Sequence, residues 1–438
     1  YKYLAKSKKL INTGLPATSG WQSYCKGEHM EYVGINYLQF KLNLKRIRVG
    51  TRYLFYEMKN SPIDFGISTP PGLEYFNSVV GWCAKGVDSL ADRLDLYGFK
   101  DDVFDLDQIY SMNNKDILFS SAMLGALIAS CSFIYISQDE TGFPKMQVID
   151  GYNATGVIDD TTGMLNEGYA ILERDQFGAI IKSAYFTREY TAYYEGGMLV
   201  ETRENPAPYP LLVPIINRPD AKRPFGHSRI TRACMDIQES AIRTVKRSEI
   251  AAEFYSFPQK YVLGMDRDAE TIDKWLASMS SMLRIDKDED GDKPTVGQFT
   301  QQSMSPHNDQ LRMFAGLFAG ETGLTLDDMG FPSQNPSSAD AIKSSHETLR
   351  LTARKAQRDF SVGLKNAGFL AVCLRDRRNY ERVEVANTIA KWEPIFEPDA
   401  AMLSQIGDGV IKINQAVPGF FDAESLRDLT GIAPAEYA

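Results

Sequence analysis

Histidine is scarce in this 438-residue chain. The four copies, His29, His227, His307 and His346, stand at no ligand spacing, which leaves a histidine-built metal centre little to work with. The five cysteines (Cys25, Cys83, Cys131, Cys234, Cys373) lie far apart and form no CxxC pair. They read as reduced thiols in a reducing compartment, several of them in the core. No GxxxxGK[ST] string occurs, so no phosphate-cradling P-loop is encoded. His346–Glu347 begins like a zinc-protease helix, but Arg350 stands where the second histidine belongs. Gly226–His227–Ser228–Arg229–Ile230 matches a nucleophile elbow only at its centre and lacks the closing glycine. Ser228 therefore reads as a helix N-cap. No repeat of 20–50 residues is present, which argues against a solenoid or propeller.

Positive charge is also short. With 48 Lys+Arg against 57 Asp+Glu the formal charge is 48 − 57 = −9, which excludes coating nucleic acid by charge alone. No basic-then-apolar leader opens the chain. It starts at Tyr1 and stops at Ala438, and both ends are expected to continue in a longer natural chain. Carboxylates are plentiful, so counting does not exclude a dispersed two-metal nuclease site. The visible pairs, Asp101–Asp102, Asp159–Asp160 and Asp327–Asp328, fall at expected turns or helix starts and read as solvated caps.

What the chain does have is ordinary globular composition, 43% hydrophobic and 24% charged, over a length that at roughly 150 residues per domain gives two to four units. One stretch, Ile117–Ile136, runs twenty residues without a charge, the length of a membrane span. Four serines dilute it and charges of both signs flank it, so the better reading splits it into a buried helix over 114–129 and a strand over 131–137.

Upstream, residues 20–58 are aromatic-rich without a readable pattern. Pro70 and Pro71 then suit a first helical turn, and Leu73, Phe76, Val80, Cys83, Val87 and Leu90 form one apolar stripe behind them. Arg93–Phe99 alternates as a short strand. From 131 to about 217 the pattern is β, with strands predicted at 131–137, 145–149, 169–174, 179–186, 190–195, 198–203 and 211–216 in an antiparallel meander. Six prolines within 204–224 make a stiff connector.

The second half is helical. Residues 227–256 predict a helix of about 45 Å. Its seam (Ile230, Cys234, Ile237, Ala241, Val245, Ser248, Ala252, Tyr255) is small enough for other copies to approach. Residues 257–304 form a small α+β insert whose strand 294–299 pairs with 260–263. A helix over 306–323 follows, with Leu311, Phe314, Phe318 and Thr322 on one face. Residues 325–338 are helix-poor. A long helix starts at Ser337 or Ser338 and carries its stripe from Ile342 to Leu374, and the tail 399–431 forms two short helices split at Pro418–Gly419. The helix cations Arg243, Lys246, Arg247, Lys343, Arg350, Arg354, Lys355 and Arg358 sit among acids and read as salt-bridge lacing, with a few contacts to a phosphate backbone as the alternative.

Several strings together resemble a family. Pro224–Phe225–Gly226–His227–Ser228–Arg229–Ile230 opens the first long helix, and residues 248–264 (SEIAAEFYSFPQKYVLG) leave it. Residues 335–342 (NPSSADAI) open the next long helix. Asp64–Phe65–Gly66–Ile67, Val79–Val80–Gly81–Trp82 and residues 87–94 (VDSLADRL) lie upstream. In order and spacing these resemble portal proteins of tailed bacteriophages, of the siphophage type, from about residue 60 to 430.

The resemblance implies an α+β, multi-part portal fold assembled as a ring. Its wing would span 1–224 (helices plus antiparallel sheet), its first stem helix 225–256, its clip 257–304 and its second stem helix 305–324. A tunnel loop would follow at 325–338, then a long wing helix and return strand at 339–398 and a truncated crown at 399–438. The implied role is a non-enzymatic conduit at one capsid vertex for genome packaging and ejection, assembled in the host cytoplasm and needing no cofactor or metal. The implied partners are eleven further copies, double-stranded DNA, the terminase motor, the head–tail adaptor, and capsid and scaffold proteins, with no membrane. Asp327, Asp328, Phe331, Gln334 and Asn335 would face the channel on a mobile loop, and Arg243, Lys246 and Arg247 would lie on the stem. Twelve copies carry 12 × −9 = −108 formal charges. That suits a channel through which DNA must slide, because each phosphate neutralised adds binding free energy. The rival readings are another structural head–tail connector of the virion and a metal-dependent nucleic-acid enzyme.

Overall fold

The charge-free run at 117–136 is two elements. In the computed structural model, which describes residues 33–62, 77–100, 104–256, 260–263, 295–298, 303–332 and 344–432, helix and strand meet at Ser130. Ser130 takes a φ of 89°, and its N–H still donates to Ala126 O at 2.9 Å. The chain thereby reverses within one residue. No described helix is long and apolar enough to cross a membrane.

The first described helix, α1 (Ile35–Tyr56), occupies the aromatic region that carried no readable pattern. Next come α2 (Trp82–Ala91), β1 (Leu96–Lys100), α3 (Leu106–Met112) and α4 (Lys115–Ala129). The helix predicted from Pro70 is shorter than its stripe. Residues 77–81 are not helical, and Pro70, Pro71, Leu73 and Phe76 lie outside the described residues. Val79, Val80 and Gly81 are poor helix formers, and an added Cβ at Gly81 would meet Met58 Sδ at 2.9 Å.

Strands β2 (Cys131–Gln138), β3 (Pro144–Ile149), β4 (Ala154–Ile158), β5 (Leu165–Arg174), β6 (Ile180–Phe186), β7 (Tyr190–Glu195), β8 (Met198–Glu204) and β9 (Leu212–Ile216) follow. They form two antiparallel sheets rather than the single meander expected. One is β3-β2-β9, and the other is the meander β4-β5-β6-β7-β8. Strand β4 escaped the sequence reading because it is short and holds Gly156, which must stay small against Glu167 O.

Beyond the proline-rich connector lie α5 (Arg232–Ser256), the pair β10 (Lys260–Leu263) and β11 (Thr295–Gln298), and α6 (Ser305–Thr322). The chain continues through α7 (Glu347–Asp376), α8 (Arg382–Val385), β12 (Ile389–Trp392), α9 (Ala400–Ala416) and α10 (Ala423–Thr430). The helix expected around 272–282 and the acidic turn 286–292 lie outside the described residues. So do Ile342 and the expected cap at Ser337 or Ser338. From Leu349 to Leu374 the α7 stripe is buried as its period requires. Gly363 allows α7 to press on the three-stranded sheet, where a Cβ would stand 2.9 Å from Pro214 O.

A single large apolar cluster joins α2, α4 and α7 to β2 and β9, and extends to Ala315, Phe318 and Ala319 on α6. Cys83, Cys131, Cys234 and Cys373 are buried and unpaired. Burial pushes the thiols of Cys83, Cys234 and Cys373 upward, away from thiolate chemistry. The tail closes back onto the β1–β12 pair. Lys391 reaches Asp428 at 2.7 Å and Glu424 at 3.0 Å, and the Arg427 guanidinium lies 3.7 Å above the Tyr97 ring.

Candidate functional site

Helices α5 and α6 run side by side in opposite directions. Thr231 Oγ1 donates to Glu321 Oε1 at 3.0 Å at one end, and Thr244 Oγ1 to Gln310 Oε1 at 3.1 Å further along. At about 1.5 Å per residue they are some 37 and 27 Å long. Their far ends lead into the pair β10–β11, in register from Lys260–Gln298 to Leu263–Thr295. The pairing read from sequence is the one observed. A helical hairpin thus carries a small β tip and stands on the large core.

Its root is built by the residues that opened the first long helix. Gly226 takes φ +70°, and an added Cβ would fall 2.1 Å from Asn217 O, so only glycine fits. This contact lets Asn217 and His227 bond reciprocally, His227 N–H to Asn217 O at 2.8 Å and Asn217 Nδ2 to His227 O at 2.7 Å. His227 Nε2 also meets Asp220 Oδ2 at 2.5 Å. The chain is next pinned to the C-terminal end of α4. Ser228 Oγ donates to Ile128 O at 2.6 Å, and Arg229 N–H to Leu127 O at 2.8 Å.

Ser228 is therefore not the helix cap expected of it. It is buried, and α5 begins at Arg232, where Thr231 Oγ1 accepts from Cys234 N–H at 3.2 Å. Residues 227–231 of the predicted helix stay outside it, and Ser228 and Arg229 tie the root to α4 instead.

Arg229 is the central side chain of this root. It is 8% exposed, its Nε donates to Gly86 O at 3.2 Å, and its Nη2 donates to Thr322 O. One guanidinium thus joins α2 to the last turn of α6, where the negative end of the helix dipole favours a cation. Burial pushes its pKa down to about 10. A second tie is Gln238, fully buried on α5, whose Oε1 accepts from Cys83 N–H at 2.7 Å at the start of α2. Trp82 and Phe318 add a ring contact of 5.8 Å between the same two bodies. Sequence reasoning did not single out Arg229 or Gln238. The available signal for Arg229 was its place beside Ile230 in the string that opens the first long helix.

The predicted seam of α5 divides. Ile230, Cys234 and Ala241 are buried within the chain itself, so they are not available to other copies, whereas Ile237, Val245, Ser248 and Ala252 are half-buried. On α6, Phe318 and Thr322 are buried, and Leu311 and Phe314 half-buried.

Arg243, Lys246 and Arg247 lie on α5 and are half-buried. Arg243 pairs with Glu239 at 3.7 Å and bonds Ser240 Oγ at 2.9 Å, as helix lacing predicts. Arg350 on α7 likewise holds Glu347 at 2.6 Å. In the loop after α6, Asp327 is exposed. Asp328 Oδ2 accepts from Thr325 N–H at 2.9 Å and Thr325 Oγ1 at 2.8 Å, and lies 3.7 Å from His346 Nδ1. Phe331 is half-buried against the main core. Gln334 and Asn335 lie outside the described residues. Among the described residues no three His, Cys, Asp or Glu side chains gather as metal ligands.

Comparison with known proteins points one way. A family model described as phage portal protein, SPP1 Gp6-like, matches residues 88–407. The portal protein of Mycobacterium phage D29 is 24% identical over 415 residues, covering 90% of this chain and 84% of that protein. The portal protein of Mycobacterium phage L5 is 23% identical over 318 residues, covering 67% and 65%. Among solved structures, a chain from the neck of a native GTA particle computed with C12 symmetry aligns over 88% of this chain and 100% of that one. Its TM-score is 0.44 and its identity 14%.

Proposed function

The chain belongs to the SPP1 Gp6-like family of phage portal proteins, and from that premise we propose how its parts work as a portal. Portal proteins are structural components of the virion rather than enzymes. Twelve copies close into a ring at one capsid vertex. The α5–α6 hairpin is the stem, the β10–β11 tip belongs to a clip over 257–304, and residues 325–338 are the loop reaching toward DNA. The sheets, α1–α4 and α7 form the wing, and α9 and α10 the crown. The clip docks the packaging motor first and the head–tail adaptor later.

The observation that supports this reading best is the hairpin and its root. Two antiparallel helices project from the core, and a buried guanidinium, a buried amide and an aromatic pair fix their base. A strut held at one end transmits force between its tip and the wing without chemistry of its own. An acidic chain with laced cations also leaves few strong grips on a phosphate backbone, so DNA can slide.

The direct test is the mass of the purified protein. Twelve subunits of 49.1 kDa give about 589 kDa (12 × 49.1) by light scattering. A species that stays at one subunit's mass at every concentration contradicts the proposal.

A further inference from the structure

Helix α1 has two apolar faces. Leu38, Leu42, Val49 and Phe55 are buried against the chain's own sheet and helices. On the far side Phe40, Leu44, Ile47 and Leu54 follow one another at spacings of four, three and seven, with Thr51 filling the gap. That is the three-and-four rhythm of a helix seam. These four are 52%, 55%, 74% and 47% exposed. A contiguous apolar stripe of this length marks an interaction surface.

The inner side of α1 shows how this helix treats a strand edge. It lies along β4, the end strand of the five-stranded sheet. There Lys41 Nζ donates to Gly156 O at 2.7 Å and Lys45 Nζ to Ala154 O at 3.4 Å. A helix laid over an edge is one way sheets are closed. The other end of the same sheet, β8, has no such cover among the described residues. All seven of its residues are exposed, and Met198, Leu199 and Val200 stand in succession. Charge differs between the two ends. From Ile35 to Tyr56 helix α1 has five cations and no acid, four of the cations bound to carbonyls or a ring of its own chain, whereas residues 195–204 hold Glu195, Glu201 and Glu204 against Arg203.

We propose that the outer stripe of α1 in one copy packs over the β8 edge of the next copy, so that each α1 closes its own sheet on one side and its neighbour's on the other. The two surfaces are different and lie at opposite ends of one sheet, whose end strands β4 and β8 are about 19 Å apart at four strand spacings. The contact is therefore head-to-tail, the kind that closes into a ring. This rests on the ring reading above and names the surfaces that join its subunits.

The test is an Ile47→Cys/Leu199→Cys double variant of the full chain in a Cys25→Ser background, mildly oxidised and run under denaturing, non-reducing conditions. The expected result is a ladder of covalent oligomers, with neither single variant forming one. Ile47→Glu, at an exposed position, should lower the assembled fraction at least tenfold and leave the subunit's melting temperature unchanged. An intact ring without the ladder, and indifferent to Ile47→Glu, overturns this contact but leaves the portal reading standing. Dimers of Ile47→Cys alone mean that α1 pairs with α1 and overturn it too. An Ile47→Cys thiol shielded from maleimide even in dissociated subunits assigns the stripe to the chain's own residues 1–32, with the same consequence. A wild-type protein that never assembles overturns both proposals.

Discussion

Arg229→Met keeps most of the side-chain volume and removes the guanidinium that links α2, α6 and the root of α5. Two terms oppose each other. Burial lowers the guanidinium from its ordinary range to about 10, a charge penalty of roughly 3 kcal/mol that Met relieves. Against this, two charge-assisted bonds of roughly 1.5–3 kcal/mol each disappear, and the carbonyls of Gly86 and Thr322 are left buried at roughly 1–3 kcal/mol each. Those figures overlap, because part of each lost bond is the orphaned carbonyl. The net expectation is a loss of about 2 kcal/mol. Arg229→Lys keeps the charge and its penalty but cannot fork to two carbonyls, so it should be no more stable than Arg229→Met. The sign with pH is also fixed. A cation whose folded pKa is depressed destabilises the fold below that pKa, and the penalty fades only as pH rises from about 10 toward the guanidinium's ordinary range. From neutral to mildly alkaline pH the difference between wild type and Arg229→Met should therefore stay flat. Urea denaturation gives the energies, and hydrogen exchange resolved by segment shows whether α5 and α6 lose protection before α4 and β2. A variant as stable as wild type, or a full rescue by lysine, refutes the role given to this side chain.

The remaining expectations are simpler. Gly226→Ala places a methyl 2.1 Å from Asn217 O at φ +70°, so it should cost at least about 3 kcal/mol in thermal melts, whereas Gly409→Ala, with open space around it on α9, should be neutral or slightly stabilising. Glu424 is held below the usual carboxylate range by its bonds to Lys100 and Lys391. Its contribution is present above that ordinary range and lost as pH falls through the depressed folded value, so acidification below the ordinary carboxylate range should expose α10 to limited proteolysis before the core opens. Lys391→Ala should do the same at neutral pH, since it breaks both of its ion pairs. Deleting 328–335 should spare ring assembly and impair genome packaging in a complementation assay; loss of the ring instead contradicts the loop assignment.

What could be read in advance follows from how local each signal is. The stripe of α7, the turns of the β5–β8 meander and the pairing of 260–263 with the strand near 295 are written within short windows of period or turn chemistry. Helix α1 was hidden because both of its faces are apolar. With four cations spent on carbonyls of β4 and α4 and on the Tyr152 ring, no polar stripe marks the turns. The division of the β region into two sheets was not readable, because β9 joins β2 across about eighty intervening residues and only tertiary packing sets that pairing. The start of α5 was misplaced for a related reason. Ser228 has the chemistry of a cap, but its hydroxyl is used by Ile128 O, a partner no local rule names. The root of the α5–α6 hairpin, with Arg229 between Gly86 and Thr322 and Gln238 on Cys83, consists of contacts spanning 93 to 155 positions. Composition could say only that a buried arginine would need partners.

The most direct measurement of the whole account is electron-microscopic imaging of the purified chain. The expected image is a closed ring of twelve subunits around a bore wide enough for a DNA duplex, with the α5–α6 hairpins lining it and the β10–β11 tips together at one end. Single 49.1 kDa particles without a bore, or rings in which those hairpins point away from the axis, would contradict it.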